Sequence, residues 1–204
     1  MSQKKSPKKA GQKPSTGQVR IISGQWRSRK LPIHDLEGLR PTTDRVRETL
    51  FNWLAMDIRG ARVLDCFAGS GALSLEALSR YAEYALMFEL QKSAAIQLTK
   101  NLATLNCQHA KVVHGDSLQL LQQVPENKFD VVFIDPPFRK DLANKAIELI
   151  DTQHWLNDDA LIYVETESEL TNLRVPSHWQ LLKEKVAGQV TYRLYQAISD
   201  EEIA

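Results

Sequence analysis

The chain has 204 residues, which is enough for one domain with a small appendage. Its hydrophobic fraction of 43% is ordinary for a globular protein, no apolar run approaches membrane-spanning length, and the basic N-terminus lacks the apolar segment of a secretory signal. Two cysteines, Cys66 and Cys107, are too few for a disulfide framework, so we expect reduced thiols and a cytoplasmic location.

The net charge of +1 conceals a strong asymmetry along the chain. Residues 1–47 contain 12 Lys and Arg against 3 Asp and Glu, whereas residues 48–204 contain 14 against 22. A basic end on an acidic body predicts a polyanionic partner. Residues 1–17 have almost no apolar side chains, so we expect a disordered basic tail, for which a solubilising role is an equally good interpretation.

Residues 18–58 form a predicted N-terminal extension. Their apolar spacing indicates two short strands of a basic hairpin and one amphipathic helix, over residues 19–22, 26–33 and 44–56. Thr42 or Thr43 is suited to cap the helix, because both follow Pro41, which ends the extended segment.

Residues 59–198 show a different pattern, in which strands and helices alternate. Strands are predicted over residues 62–66, 84–89, 110–114, 129–134 and 159–165, and helices over 71–80, 91–105, 117–123 and 141–150. This alternation predicts an α/β fold with a doubly wound, mostly parallel, Rossmann-like sheet whose ligand crevice lies at the carboxyl ends of the strands. Two further runs, over residues 179–186 and 190–197, flank a turn, so we expect the sheet to finish with an antiparallel strand.

A glycine-containing loop follows the first strand of this alternating unit. Asp65 ends the strand, and Gly69 and Gly71 allow the loop to bend tightly and approach a ligand closely. A Gly-x-Gly pair is weak evidence alone, but here it has the required strand–loop–helix context. The third small residue of a dinucleotide fingerprint is replaced by Ser74, and the carboxylate of Asp65 repels phosphates and suits a cationic group. A dinucleotide oxidoreductase is therefore disfavoured.

Acidic residues end four successive predicted strands, at Asp65, Glu89, Asp116 and Asp135. Glu89 follows Asp65 by 24 positions, about where an acid binds ribose hydroxyls in nucleotide-binding sheets. Asp116 is suited to accept from an adenine amino group, while the backbone of Ser117 donates to the ring. One such acid alone is better explained as a helix cap or a surface charge, but four at one sheet edge predict a ligand with adenosine, ribose and a positive centre. S-adenosylmethionine fits this description.

The turn Asp135-Pro136-Pro137-Phe138 follows the fourth strand and has an unusual composition. Proline has no backbone N–H and fixes φ, so the two prolines stop the strand and stiffen the turn. The carboxylate of Asp135 and the carbonyl of Pro136 are suited to accept the two hydrogens of a planar amine, and Phe138 is suited to stack on the attached base. A rigid strand-to-loop turn without chemistry is the alternative interpretation.

These motifs resemble the class I S-adenosylmethionine-dependent methyltransferases, and the Asp-Pro-Pro-Phe turn is similar to that of their amino-methylating branch. The segments 20–24, 40–51 and 65–71 resemble the RsmD family, which methylates N2 of a guanine in small-subunit ribosomal RNA, and the resemblance covers residues 18–197. It implies a catalytic turn formed by Asp135, Pro136, Pro137 and Phe138. It implies a cofactor site formed by Asp65, Phe67, Ala68, Gly69, Ser70, Gly71, Glu89, Asp116, Ser117 and Asp135.

The resemblance makes the basic N-terminal extension the part that faces RNA, with 16S rRNA or the small ribosomal subunit as partner. We expect phosphate contacts from Arg20, Arg27, Arg29, Lys30, Arg45 and Arg47. Trp26 is better explained by packing in the hairpin than by stacking on a base. The five histidines have no ligand spacing, so no metal is expected, and the lack of a second apolar face predicts a monomer.

Two alternatives remain open at this point. The same chemistry on adenine or cytosine of DNA, or on a protein amide, would use the same turn. A non-catalytic RNA-binding assembly factor would keep the fold, but binding RNA gives no reason to keep four carboxylates at the sheet edge. Phe138 and the basic extension favour the RNA enzyme.

Overall fold

The computed structural model describes residues 17–33, 43–138 and 140–198. The predicted disordered tail lies outside the described residues apart from Gly17, whose carbonyl accepts from the Ile33 backbone N–H at 2.9 Å. Pro41 and Thr42 also lie outside them. Within the described parts of the chain, no helix is long and apolar enough to cross a bilayer.

The N-terminal hairpin is shorter than predicted. Its strands β1 (Gln18–Arg20) and β2 (Lys30–Pro32) pair antiparallel over three residues each. Beyond the strands, Ile21 still donates to the Arg29 carbonyl and accepts from the Ser28 N–H, but the residues that follow Ile21 bind the helix after the glycine loop instead of extending the ladder. Ile22 and Ser23 donate their N–H groups to the Glu76 carboxylate, and Trp26 donates its N–H to Ser79 Oγ.

Helix α1 (Asp44–Trp53) begins at the predicted residue and ends three residues earlier than predicted. Thr43 is its N-cap and accepts from the Val46 N–H at 3.4 Å, as one of the two predicted caps. After Leu54 the chain leaves the helix through turns in which Asp57 and Ile58 both donate to the Leu54 carbonyl.

The alternating part of the chain forms one seven-stranded sheet, as predicted. Its strands are β3 (Arg62–Asp65), β4 (Tyr84–Glu89), β5 (Ala110–His114), β6 (Phe129–Ile134), β7 (Leu156–Glu167), β8 (Trp179–Ala187) and β9 (Val190–Ala197). The helices are α2 (Ala72–Ser79), α3 (Lys92–Thr104), α4 (Ser117–Leu121) and α5 (Leu142–Thr152). The spatial order is β5-β4-β3-β6-β7-β9-β8, with β9 antiparallel to both of its neighbours. The predicted doubly wound α/β fold with an antiparallel strand near its end is confirmed.

The sheet has a hydrophobic core on each face. Successive strand residues alternate between the faces, so Val63 and Phe133 pack with the hairpin, α1, α2 and α3, while Leu64 and Ile134 pack with α4 and α5. The hairpin shares the first core through Val19. This packing fixes the N-terminal extension above one face of the sheet, close to the carboxyl ends of β3 and β6.

Candidate active site

Register puts four carboxylates on one face of the sheet at the carboxyl ends of its strands. Asp65 pairs with Met87 and with Phe133, and Phe133 pairs with Tyr163. Since side chains two positions apart on a strand share a face, the residues two positions after these partners lie on the Asp65 face as well. They are Glu89, Asp135 and Glu165.

The glycine loop connects β3 to α2 in a conformation that requires glycine. Gly69 has φ +53° and Gly71 has φ +76°, in the left-handed region that favours glycine. A Cβ at Gly71 would lie 2.4 Å from Leu98 Cδ2 and 3.2 Å from Leu75 Cδ1. Glycine at position 71 is therefore needed for two reasons: it adopts the positive φ of the turn, and it leaves room for Leu98 of α3.

Asp65 is a buried carboxylate with one side-chain donor. It is 2% exposed, and the hydroxyl of Ser74 donates to Asp65 Oδ2 at 2.6 Å. The pKa of Asp65 is raised to about 7, chiefly by burial and in addition by repulsion from Asp135 and Glu89, while the hydrogen bond from the Ser74 hydroxyl lowers it. Ser74, which departs from the dinucleotide fingerprint, thus orients the Asp65 carboxylate.

Glu89 ties the glycine loop to the end of β4. Its Oε2 accepts from the Gly69 N–H at 2.8 Å, and its Oε1 accepts from the Gln91 N–H at 2.7 Å. Burial raises the pKa of Glu89, and the two backbone donors partly offset this. Glu89 thus has a structural role in holding the glycine loop, and its binding of ribose hydroxyls stays a prediction.

Asp116 and Ser117 close the far side of the same edge. Asp116 is exposed and caps α4, because its Oδ1 accepts from the Leu118 N–H at 2.8 Å. The Ser117 hydroxyl is buried and donates to the carbonyl of Cys66, which joins α4 to the start of the glycine loop. Asp116 is therefore a helix cap, which is the alternative role that the sequence analysis gave for a single acid. Its contact with adenine stays a prediction.

The Asp-Pro-Pro-Phe turn stands next to this loop and is partly open to solvent. Asp135 is half-buried, Pro136 is buried, Pro137 is exposed, and the ring of Phe138 is 38% exposed. A large aromatic ring with this much exposure at a crevice is available for stacking. Asp135 lies close enough to Asp65 to raise its pKa, so the turn and the glycine loop border one site.

Glu165, two residues before the end of β7, belongs to the same group of carboxylates and was missed by the sequence analysis. It is 6% exposed, and the Tyr163 hydroxyl donates to its Oε2 at 2.7 Å. Burial and, second to it, repulsion from Asp135 together raise the pKa of Glu165 to about 8. The signal was present, because Glu165 also ends a predicted strand.

The predicted RNA contacts fall into two groups. Five of them have exposed side chains on the hairpin and the first turn of α1, and they are Arg20, Arg27, Arg29, Lys30 and Arg45. The sixth, Arg47, is 2% exposed and donates to Asp44 Oδ1 at 2.6 Å and to the Arg20 carbonyl at 2.8 Å. The prediction that Arg47 contacts a phosphate is wrong, since its guanidinium holds the hairpin onto α1.

Two further predictions concern Trp26 and metals. Trp26 is 8% exposed and belongs to the core of the N-terminal extension, as the packing interpretation expects. Among the residues that the structure describes, there is no group of three or more His, Cys, Asp or Glu side chains that could hold a metal ion.

Comparison with known proteins identifies relatives over nearly the whole described chain. The family model Conserved hypothetical protein 95 matches residues 19–196. Ribosomal RNA small subunit methyltransferase D of Escherichia coli K12 is 58% identical over 183 residues, covering 89% of this chain and 91% of the relative. The protein of the same name from Haemophilus influenzae is 55% identical, covering 88% and 94%. A solved structure from Escherichia coli aligns with a TM-score of 0.84 at 55% identity, covering 89% of this chain and 99% of that one.

Proposed function

We propose that this chain is an rRNA methyltransferase that acts on the small ribosomal subunit, since it belongs to the Conserved hypothetical protein 95 family of RsmD proteins. More narrowly, we infer transfer of a methyl group from S-adenosylmethionine to N2 of one guanine in 16S rRNA. The observation that carries the inference of methyl transfer is the cluster of Asp65, Glu89 and Asp135 beside the glycine loop, whereas the choice of guanine N2 rests on the resemblance to the RsmD family. A protein that only bound RNA would gain nothing from burying carboxylates there, because they repel phosphates.

The residues at the sheet edge fit S-adenosylmethionine. Asp65 is a desolvated carboxylate whose ionised form would be favoured by a nearby positive charge. Gly69 and Gly71 remove side chains from the loop, and Glu89 and Asp116 offer carboxylates for ribose hydroxyls and an amino group. The remaining predicted cofactor residues are Phe67, Ala68 and Ser70 in the glycine loop and Ser117 at the start of α4.

The bound cofactor supplies a methyl group on a positively charged sulfur, which becomes a neutral thioether when the methyl leaves. In the proposal, Asp135 and the Pro136 carbonyl each accept one hydrogen of the guanine amine. This arrangement aims the nitrogen lone pair at the methyl carbon and stabilises the positive charge that grows on nitrogen. The alkylated nitrogen is strongly acidic and loses its extra proton to Asp135 or to water. Pro137 keeps the turn rigid, and Phe138 stacks on the base, which must leave any helical stack to enter the site.

The basic surface of the hairpin and the first turn of α1 would bind the surrounding rRNA backbone. Its members are Arg20, Arg27, Arg29, Lys30 and Arg45. Arg20 also pairs with Asp44 at 2.7 Å on the surface. The pair is exposed, so exchange of Asp44 for a phosphate costs little. We further propose a cytoplasmic monomer that needs no metal.

The experiment that tests the proposed function is methyl transfer from labelled S-adenosylmethionine to 16S rRNA and to small subunits, compared between the wild type and Asp135→Ala. We expect transfer to be lost in the variant while cofactor binding stays measurable. Asp57→Ala, at an exposed aspartate after α1, is the matched control and should behave as the wild type. Wild-type turnover in Asp135→Ala would refute the catalytic assignment of the turn.

A further inference from the structure

Glu165 lies beside the candidate catalytic carboxylate and has no role in the proposed function so far. The last register pair of β6 and β7 joins Ile134 to Val164, so Asp135 leaves the end of β6 beside Glu165 of the adjacent parallel strand. Glu165 lies on the sheet face that carries Phe133 and Tyr163, and Asp135, the first residue after β6, is close enough to Glu165 to raise its pKa. The two carboxylates therefore point toward the same volume.

Tyr163 holds Glu165 in position. The tyrosine side chain is fully buried, and its ring packs against Phe133 and Tyr192 with centroid separations of 6.3 Å in both cases. Its hydroxyl donates to Glu165 Oε2 at 2.7 Å. A carboxylate has about four acceptor positions, so this one hydrogen bond leaves Glu165 with capacity for another donor.

A structural role alone does not account for a carboxylate at this position. Burial and the neighbouring Asp135 both disfavour its charge and raise the pKa of Glu165 to about 8. A neutral glutamine would accept the same hydrogen bond from Tyr163 without this penalty. An acidic group beside Asp135 is useful when a hydrogen-bond donor arrives from outside the protein, because such a donor favours the ionised form.

We propose that Glu165 is a specificity residue that accepts the N1–H of the target guanine while Asp135 and Pro136 hold its amine. This inference rests on the proposed function. In guanine one of the two ring nitrogens next to the N2 amine, N1, carries a hydrogen, whereas the ring nitrogen next to the amine of adenine or cytosine is an acceptor. An ionised carboxylate offers only acceptors, so above a pH of about 8 it binds guanine and repels the other two bases, whereas at lower pH the neutral carboxyl is able to donate to their ring nitrogen. The Asp135 turn alone does not make this distinction.

The probe for this inference is RNA that carries 2-aminopurine in place of the target guanine. This base keeps the amine at position 2 but has an acceptor at N1. A hydrogen bond to a charged group supports about 10- to 100-fold discrimination, so at a pH above about 8, where Glu165 is ionised, the wild type should prefer guanine by that factor in kcat/KM. In Glu165→Gln the amide can turn either its oxygen or its nitrogen toward N1, so the preference should fall to within about threefold.

Two further variants keep the test decisive. Tyr163→Phe leaves the carboxylate but removes its fixed hydrogen bond, so the preference for guanine should fall part of the way. Glu148→Gln makes the same chemical change at an exposed position of α5 and should keep the wild-type preference. Circular dichroism and cofactor binding confirm that each variant is folded.

The outcomes separate this inference from the proposed function. If Glu165→Gln keeps the wild-type preference, or loses both activities in equal proportion, Glu165 does not read N1 and the proposed function stands. If the folded wild type methylates guanine in neither 16S rRNA nor small subunits, the proposed function fails and the inference falls with it.

Discussion

The buried carboxyl of Asp65 makes the stability of the protein depend on pH in a defined direction. Its pKa is about 7 in the folded chain, against an ordinary value of 3.8 that applies after unfolding. Since one pKa unit corresponds to about 1.4 kcal/mol, the difference of roughly 3 corresponds to about 4 kcal/mol. The folded state retains the proton, so this contribution favours folding at low pH and is lost as the pH rises toward 7.

Asp65→Asn isolates the effect. The asparagine oxygen can still accept from the Ser74 hydroxyl, whereas the titrating proton is removed. We expect the free energy of unfolding of the wild type, relative to the variant, to fall by about 2.5 kcal/mol between pH 5 and pH 8. Glu165 titrates in both proteins, so its contribution cancels in the comparison.

Urea unfolding at pH 5, 6, 7 and 8 measures this difference without cofactor. Parallel curves for the two proteins across this range would refute the assignment of a neutral, desolvated Asp65. A difference that grows with rising pH in favour of the wild type would mean that the carboxylate is ionised and stabilising in the folded protein, which is the opposite sign.

Three further predictions use other parts of the molecule. Arg45→Ala should weaken RNA binding and lower the slope of log K against log salt by about 1, measured by filter binding or fluorescence anisotropy; an unchanged slope would remove Arg45 from the interface. Arg47→Met should instead destabilise the fold by about 1–2 kcal/mol in urea unfolding, because it removes the hydrogen bonds to the Arg20 carbonyl and to Asp44, while Asp44 keeps Arg20 and the buried Glu76 keeps Arg80 as partners; a neutral effect would contradict the structural role. Gly71→Ala should cost about 1–2 kcal/mol for its positive φ and more for the clash with Leu98, whereas Gly60→Ala, with φ +79° and open space around it, should cost only the first amount. Equal losses in the two glycine variants would show that the close approach at Gly71 is unimportant.

Most of the fold was predictable because its signals are local. Strand and helix alternation follows from apolar spacing, and the glycines of the loop follow from backbone geometry. The hairpin was predicted too long because its intervening backbone is bound by Glu76 and Ser79, which are more than 50 residues away in the chain. No local pattern in the hairpin reports a partner at that distance.

The candidate site was predictable where acids end successive strands. It was less predictable where the tertiary environment of a side chain determines its role. Arg47 looks like an exposed cation in sequence, but the packing of the hairpin on α1 buries it. Glu165 follows the same strand-end rule as Asp135, yet its link to Tyr163 and its place beside Asp135 depend on the order of strands in the sheet. That order is a tertiary property, which residue spacing does not determine.

The measurement that tests the central claim most directly is nucleoside mass spectrometry of small-subunit rRNA from cells that lack this protein. We predict the loss of one N2-methylguanosine, its return when the wild-type protein is supplied, and no return with Asp135→Ala. Small-subunit rRNA whose N2-methylguanosine content is unchanged in the deletion strain would contradict the claim.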